Sequence, residues 1–281
     1  MEKIPVRHIK EPRGSENFNI RTVQALVAGG DVLQELHRHD FYYILILERG
    51  AGEHEIDFQS YGVVDYSVFF MRPGQVHRLL LKAGSTGYLM QFREGFYFPT
   101  DRASRLMVRK AGNVTHYRFD ADGFQKILAL LTYIFQEYVS RQEGYQEVIK
   151  ANLGIFFIEM VRQYSGSLSD HAGLYTQERL GDFLELLETQ AFVHKEVSYY
   201  AGALNLSTYQ LNAITKAALG KTSSAVINEY IILEAKRQLL ATSSLVSQIA
   251  DRLGYEDVSY FIRFFRHHTG YSPEAFRQNF R

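Results

Sequence analysis

The chain contains no cysteine. That removes disulfides and thiolate metal sites and fits a reducing compartment. No run approaches the ~18 consecutive apolar residues of a membrane span. The opening stretch, MEKIPVRHIKEPRGSENF, has no apolar core of signal-peptide length. A cytoplasmic location with no membrane partner is the expectation. Neither charge dominates: Lys plus Arg and Asp plus Glu both number 31. No global field therefore announces a nucleic acid, and affinity for one must come from local patches. Enzyme signatures are missing as well: no serine nucleophile elbow, zinc-protease helix or glycine-rich dinucleotide fingerprint is present. Gly220-Lys221-Thr222 is not a phosphate loop, because Thr215 stands where such a loop needs its first glycine. No cofactor is called for.

What is there is ample core material. With 46% apolar and 14% aromatic residues over 281 positions, the chain can bury a substantial interior and splits most naturally into two domains. From about residue 19 to 98 the pattern is of short β-rich runs, with candidate strands at 22–27, 41–47, 52–58, 67–71, 78–81 and 87–92. Gly29-Gly30, Gly50, Pro73-Gly74 and Gly84 punctuate them. Strands at such close spacing predict a sandwich or barrel. From 122 to 141 the period changes. Phe124, Ile127, Leu128, Leu131, Ile134, Phe135 and Tyr138 form a helical stripe, begun by Asp120 or Asp122. Gly144 separates it from a second helix carrying Val148, Leu153, Phe156, Phe157, Met160 and Val161. Small polar residues at 165–173, SGSLSDHAG, read as an interdomain linker.

The C-terminal third is helical. From Thr176, Leu180, Phe183, Leu184 and Leu187 make one stripe, with Glu185 and Glu188 left to solvent. A short helix over 197–204 ends near Asn205, which tolerates a left-handed turn. Ser207 then caps a helix with Leu211, Ile214 and Leu219 inward and Thr208, Tyr209, Asn212 and Lys216 outward. A helix over 223–241 with Ile227, Ile231, Leu239 and Leu240 follows as a spacer.

The segment 244–273 repeats the layout. Val246, Ile249, Ala250 and Leu253 recur at helical spacing, and Gly254 falls where a left-handed cap belongs. Asp257 can cap a second helix with Phe261, Phe265 and His268 on one face and Ser259, Ile262, Arg263 and Arg266 on another. Short helix, tight turn and amphipathic helix with arginines outward is the layout of a helix-turn-helix that enters a DNA major groove. Charge over 176–281 cancels, with eleven bases and eleven acids. Only the neighbourhood of Arg263, Arg266 and Arg277, with His267 and His268, favours phosphate.

Ile249-Ala250, Gly254-Tyr255, Asp257, Ser259-Tyr260-Phe261, Arg263, Phe265-Arg266, Gly270, Ser272-Pro273 and Phe276-Arg277 resemble the second helix-turn-helix of AraC-type (arabinose-regulator) transcription factors. Residues 197–222 resemble the first. They depart from it at Ala213, where arginine is usual, and at Thr215, where phenylalanine is usual; in the helix that follows, Ile231 stands where arginine is common. A missing bidentate base contact costs about 1–3 kcal/mol of discrimination, so the first motif is expected to read less sequence than the second.

In the N-terminal half, His37-Arg38-His39 precedes one strand and Pro73 to His77 lies between two others. Together these resemble the paired motifs of a cupin, the small barrel that binds effectors in many AraC-type regulators. His37 and His39, two apart, share a strand face, and His77 can join them. The glutamate of metal-binding cupins falls here on or near Tyr43. Three imidazoles can hold a metal or simply line a ligand cavity. Without a carboxylate, and with Tyr42, Tyr43, Tyr66 and Tyr88 near, the expectation is a small polar ligand such as a sugar.

The resemblance implies an α+β fold: an N-terminal cupin-like β-barrel with two helices (1–164, effector binding and dimerisation), a linker (165–175), and an all-α domain with two helix-turn-helix motifs (176–281). It implies a regulator, not an enzyme, that binds a double-stranded DNA operator, responds to a small-molecule effector and forms a homodimer, with RNA polymerase as a further partner. The expected DNA-facing residues are Ser207, Thr208, Tyr209, Asn212, Lys216, Asp257, Ser259, Tyr260, Ile262, Arg263 and Arg266. The expected ligand-facing residues are His37, His39, Tyr43, His77 and Tyr88, with no metal. The competing readings are a cupin metalloenzyme, with the three histidines on iron or zinc and the helical half as an accessory, and a barrel that binds a protein partner.

Overall fold

The computed structural model describes residues 6, 7, 9, 17–97, 99, 101–165 and 174–280. The chain divides into two compact units, 5–168 and 169–281.

The first unit carries, in chain order, β1 (Val6–Arg7), β2 (Phe18–Thr22), α1 (Val23–Leu26), β3 (Val32–His39), β4 (Tyr42–Arg49), β5 (Gly52–Ile56), β6 (Gln59–Val63), β7 (Ser67–Met71), β8 (Val76–Leu81), β9 (Thr86–Phe92), α2 (Arg102–Gly112), β10 (His116–Arg118), α3 (Ala121–Ser140) and α4 (Tyr145–Ser165). They form two sheets of five strands, ordered β1-β3-β8-β5-β6 and β10-β7-β4-β9-β2. Every pairing is antiparallel except β1 with β3. The expected closed cupin-like barrel is not formed. Closure needs an unbroken hydrogen-bond ladder around the axis, and among the described residues no strand of one sheet pairs with a strand of the other. Two of the four edges, β1 and β10, are only two and three residues long.

Strand β4 explains the layering. Tyr43 to Leu47 are all buried, because this strand is covered on both faces, which an unbroken apolar run permits and an alternating one does not. Tyr43, Leu45 and Leu47 join Ile56, Phe69, Leu79, Leu81 and Leu89 in a core shared by the two sheets. Ile44 and Ile46 point the other way. They meet Phe70, Met90 and Phe92 and the stripe Phe124, Ile127, Leu131 and Ile134 of α3, with Leu153, Phe156 and Phe157 of α4. Each such side chain, fully buried, contributes roughly 1.5–3 kcal/mol. Of the two aspartates that can begin α3, Asp120 is the cap, accepting from the Gly123 amide at 2.7 Å, and Asp122 lies in the first turn.

Several strands differ from expectation. Residues 23–26, expected within a strand, form α1, and the strand beside them is β2. The histidine pair precedes β4, as expected, but itself lies on a further strand, β3, and His77 lies inside β8 rather than between strands. Strand β6 escapes a propensity reading because its turn is made by Asp57 and Phe58 with φ of 48° and 70°. Two successive positive φ values give the hairpin twist usually supplied by Asn-Gly. Here Asp57 is held by Gln75, whose Nε2 donates to it at 2.6 Å, and by its own amide, which donates to the Val76 carbonyl.

The second unit is all-α among its described residues: α5 (Leu174–Gln190), α6 (Val197–Ala203), α7 (Thr208–Leu219), α8 (Ser223–Ala241), α9 (Val246–Arg252), α10 (Val258–Thr269) and α11 (Pro273–Asn279). Helix α8 packs against α6, α7, α9, α10 and α11. This is possible because Val226, Ile227, Ile231, Ile232, Ala235, Leu239 and Leu240 are buried around most of its circumference. Of the expected linker, residues 166–173 lie outside the described residues, Ser165 ends α4, and Leu174 and Tyr175 begin α5. No described helix is long and apolar enough to cross a membrane.

Candidate functional site

Two places concentrate unusual chemistry. In the second unit, α9 ends at Arg252 with Leu253 as its cap, and Gly254 follows with φ of 71°. The Tyr255 amide reaches back to the Ala250 carbonyl at 2.9 Å, closing the turn. Asp257 opens α10 by accepting from the Ser259 amide at 2.7 Å. Phe261 and Phe265 are fully buried, so the opposite face is committed to solvent. Ser259, Tyr260, Ile262, Arg263, Arg266 and His267 are all exposed there. Arg263 Nη2 stands 3.9 Å from the Asp257 carboxylate. His268, expected on the buried face, is exposed and tilts against Phe264.

Arg277 is a correction. It was expected among the groups favouring phosphate, but it is buried, with Nε donating to the Leu239 carbonyl at 3.0 Å and Nη2 to the Ser244 carbonyl at 2.6 Å. It ties the end of α8 and the start of the second motif to α11.

The first motif repeats this geometry. Asn205 takes φ of 54° in its turn. Ser207 and Gln210 form a reciprocal capping box at the start of α7. Leu211 and Ile214 are buried, whereas Leu219, expected inward, is 41% exposed. Thr208, Lys216 and above all Tyr209, 83% exposed, face solvent. Asn212 is half-buried and serves the fold: its Nδ2 donates to the Thr208 carbonyl at 3.0 Å and its Oδ1 accepts from the Ser223 amide at 2.9 Å. Thr215 is buried beside Ser223, the two hydroxyls 3.2 Å apart. A phenylalanine would not leave that polar contact between α7 and α8.

The second place is the space between the two sheets of the first unit. His37 and His77 are directly opposite in the β3–β8 ladder, and Ile56 is opposite His77 in the β5–β8 ladder. Period-two geometry then puts His37, His39, His77 and His54 on one face. All four are buried. His39 Nε2 meets His77 Nε2 at 2.9 Å, and His77 Nδ1 meets His54 Nε2 at 2.9 Å, so three imidazoles form a hydrogen-bonded chain. His37 Nδ1 donates to the Glu35 carbonyl at 2.7 Å. Tyr43 stacks flat on His39 from the facing sheet, ring centres 5.1 Å apart. Burial, with His116, His37 and His39 nearby, pushes His54 down to about 3, so it is neutral at physiological pH.

Sequence reasoning missed His54, although the alternation of His54 and Ile56 along β5 carried the signal. It also missed Gln91, buried and opposite Tyr43 in the β4–β9 ladder. Conversely, Tyr88 is not at this site. It faces α3, with its hydroxyl 3.2 Å from Thr132 Oγ1. Tyr42 and Tyr66 likewise pack on the helical side, against Phe92 and Phe124.

Comparison with known proteins matches both halves. Residues 29–146 fit the AraC-like ligand binding domain, and residues 200–279 fit a helix-turn-helix domain. Over whole chains, the protein is 25% identical across 270 residues to the HTH-type transcriptional activator RhaS of Pectobacterium carotovorum, covering 94% of this chain and 96% of that one. It is 27% identical across 278 residues to RhaS of Pectobacterium atrosepticum, with the same coverage. Among solved structures, ToxT of Vibrio cholerae O395 aligns over 94% of this chain and 98% of its own, at 13% identity and a TM-score of 0.44.

Proposed function

We propose, for a chain that is an AraC-type helix-turn-helix transcription regulator responding to a small molecule, a division of labour between named residues. It is a regulator and not an enzyme. Helices α7 and α10 enter successive major grooves of a double-stranded operator, with α8 setting their separation. Ser259, Ile262 and Arg263 face base edges: the guanidinium suits the acceptor pair of guanine, and the isoleucine suits a thymine methyl. Arg266 and Lys216 neutralise phosphates, while Ser207, Thr208, Tyr209, Asp257 and Tyr260 line the entering ends of the two helices. Asn212 acts by fixing α8 against α7, since its amide is engaged by Thr208 and Ser223.

The observation that supports this most is the partition of α10, with Phe261 and Phe265 wholly buried and the arginines wholly outward. Replacing Arg263 with alanine is expected to weaken operator binding by about 1–3 kcal/mol and relax preference at one base pair. Footprinting and titration at moderate salt check this, and unchanged affinity and footprint would refute the assignment.

The effector site is read between the sheets, with His37, His39, His77 and Tyr43 toward the ligand. Such a ligand regulates only if it binds two domain or dimer arrangements unequally. Dimerisation is read at α3 and α4, where Tyr133, Val139 and Ile155 stay exposed. The division 1–164, 165–175 and 176–281, and a contact with RNA polymerase, belong to the same reading.

A further inference from the structure

The four buried histidines are arranged in a way that sugar recognition does not require. His37, His39 and His77 each offer a ring nitrogen, and these atoms lie within 4.8 Å of one another. The hydrogen bonds decide which nitrogen is available. A carbonyl oxygen can only accept, so His37 carries its proton on Nδ1, toward Glu35, and presents a lone pair at Nε2. His77 can place its proton on Nδ1 and donate to His54 Nε2, which leaves its own Nε2 as the acceptor in the contact with His39. His39 Nε2 faces that atom at 2.9 Å. One N–H lies in that hydrogen bond; moving the His39 proton to Nδ1 frees its Nε2 as a third donor atom, and a cation among the three rings takes the place of the shared proton.

We propose that the first unit binds one divalent transition metal through Nε2 of His37, His39 and His77, with His54 as the positioning residue that holds His77 in the ligating tautomer. The donor set selects the metal class. Neutral imidazoles suit zinc, cobalt, nickel or iron(II), while magnesium and calcium prefer oxygen. A metal about 2.1 Å from each nitrogen needs ligand atoms roughly 3.0–3.4 Å apart. The 2.9 Å separation of His39 and His77 is close to that, and the trio has only to draw in around the ion. Metal-ligating histidines typically donate their other ring N–H to a carbonyl or a further side chain. Glu35 does this for His37 and His54 for His77. With no carboxylate among the three ligands, water or an oxygen of the effector completes the coordination.

The test uses untagged full-length protein, equilibrated with zinc or cobalt(II) and passed through a desalting column. One metal per chain by elemental analysis, with the visible bands of nitrogen-coordinated cobalt, is expected. His37→Ala and His77→Ala should each abolish retention. His54→Phe, which keeps a ring in the space, should weaken affinity by roughly 10- to 100-fold without abolishing it. Circular dichroism of each variant confirms that it is folded. Absence of stoichiometric metal in folded wild type, or retention unchanged in His77→Ala, overturns the site. Affinity unchanged in His54→Phe overturns its positioning role. The readout is independent of DNA, so an effector that still alters operator binding in metal-free protein would remove the metal and leave the regulatory function standing.

Discussion

Lys195 Nζ donates to the carbonyl oxygen of Gly254 at 2.7 Å and to that of Phe192 at 3.3 Å, while its ammonium lies 4.6 Å from the centre of the Tyr255 ring. The loop before the first helix-turn-helix is thereby fastened to the turn inside the second. Gly254 has φ of 71°, and a Cβ there would collide with the Phe192 carbonyl oxygen. The turn thus depends on glycine twice, for its backbone angle and for the closeness of its neighbour.

Two substitutions probe this latch. Gly254→Ala should destabilise the second unit by more than the ~1–2 kcal/mol of a left-handed alanine, because the collision adds to it. Lys195→Met keeps the stem but removes the donor, at a cost of about 1 kcal/mol given its partial exposure. Its clearer signature is in DNA binding: affinity for an operator spanning both grooves should fall more than affinity for a fragment carrying one. Equal losses on both fragments would show that the latch does not align the motifs.

Arg277 separates two readings of one residue. If its role is structural, as its bonds to Leu239 and Ser244 indicate, Arg277→Ala should cost about 2–4 kcal/mol by denaturant titration, since two buried carbonyls lose a charged donor. The salt dependence of DNA binding by the folded fraction should not change. A phosphate contact would instead leave stability intact and reduce the salt slope by about one.

His116 should make the first unit sensitive to acid. It lies flat on Phe69, with Nε2 3.3 Å from Ser67 Oγ, near Tyr61, Arg118 and His54. Burial, aided by Arg118, pushes it down to about 4 from 6.5. The unfolded chain therefore binds a proton that the folded one refuses, so stability is full above about pH 6.5 and falls as pH drops toward 4. His116→Gln, neutral throughout, should flatten this part of the melting-temperature profile. Parallel profiles for the two proteins would contradict the assignment.

What the residues determine unaided is whatever depends on near neighbours. Caps at Asp120, Ser207 and Asp257, the left-handed turns at Asn205 and Gly254, and the stripes of α3 and α10 are all set within a few positions along the chain, so periodicity and capping chemistry suffice to locate them. The failures share the opposite cause. Whether strands close into a barrel, whether Tyr88 faces histidines or a helix, whether Arg277 meets phosphate or carbonyl, and whether His54 joins His37, His39 and His77 all turn on which distant segments pair and in what register. A one-residue change of register reverses every side chain of a strand. Only the assembled sheets, the packing of α3 on them and of α11 on α8 decide those contacts, because they bring together groups between 23 and 44 positions apart in the chain.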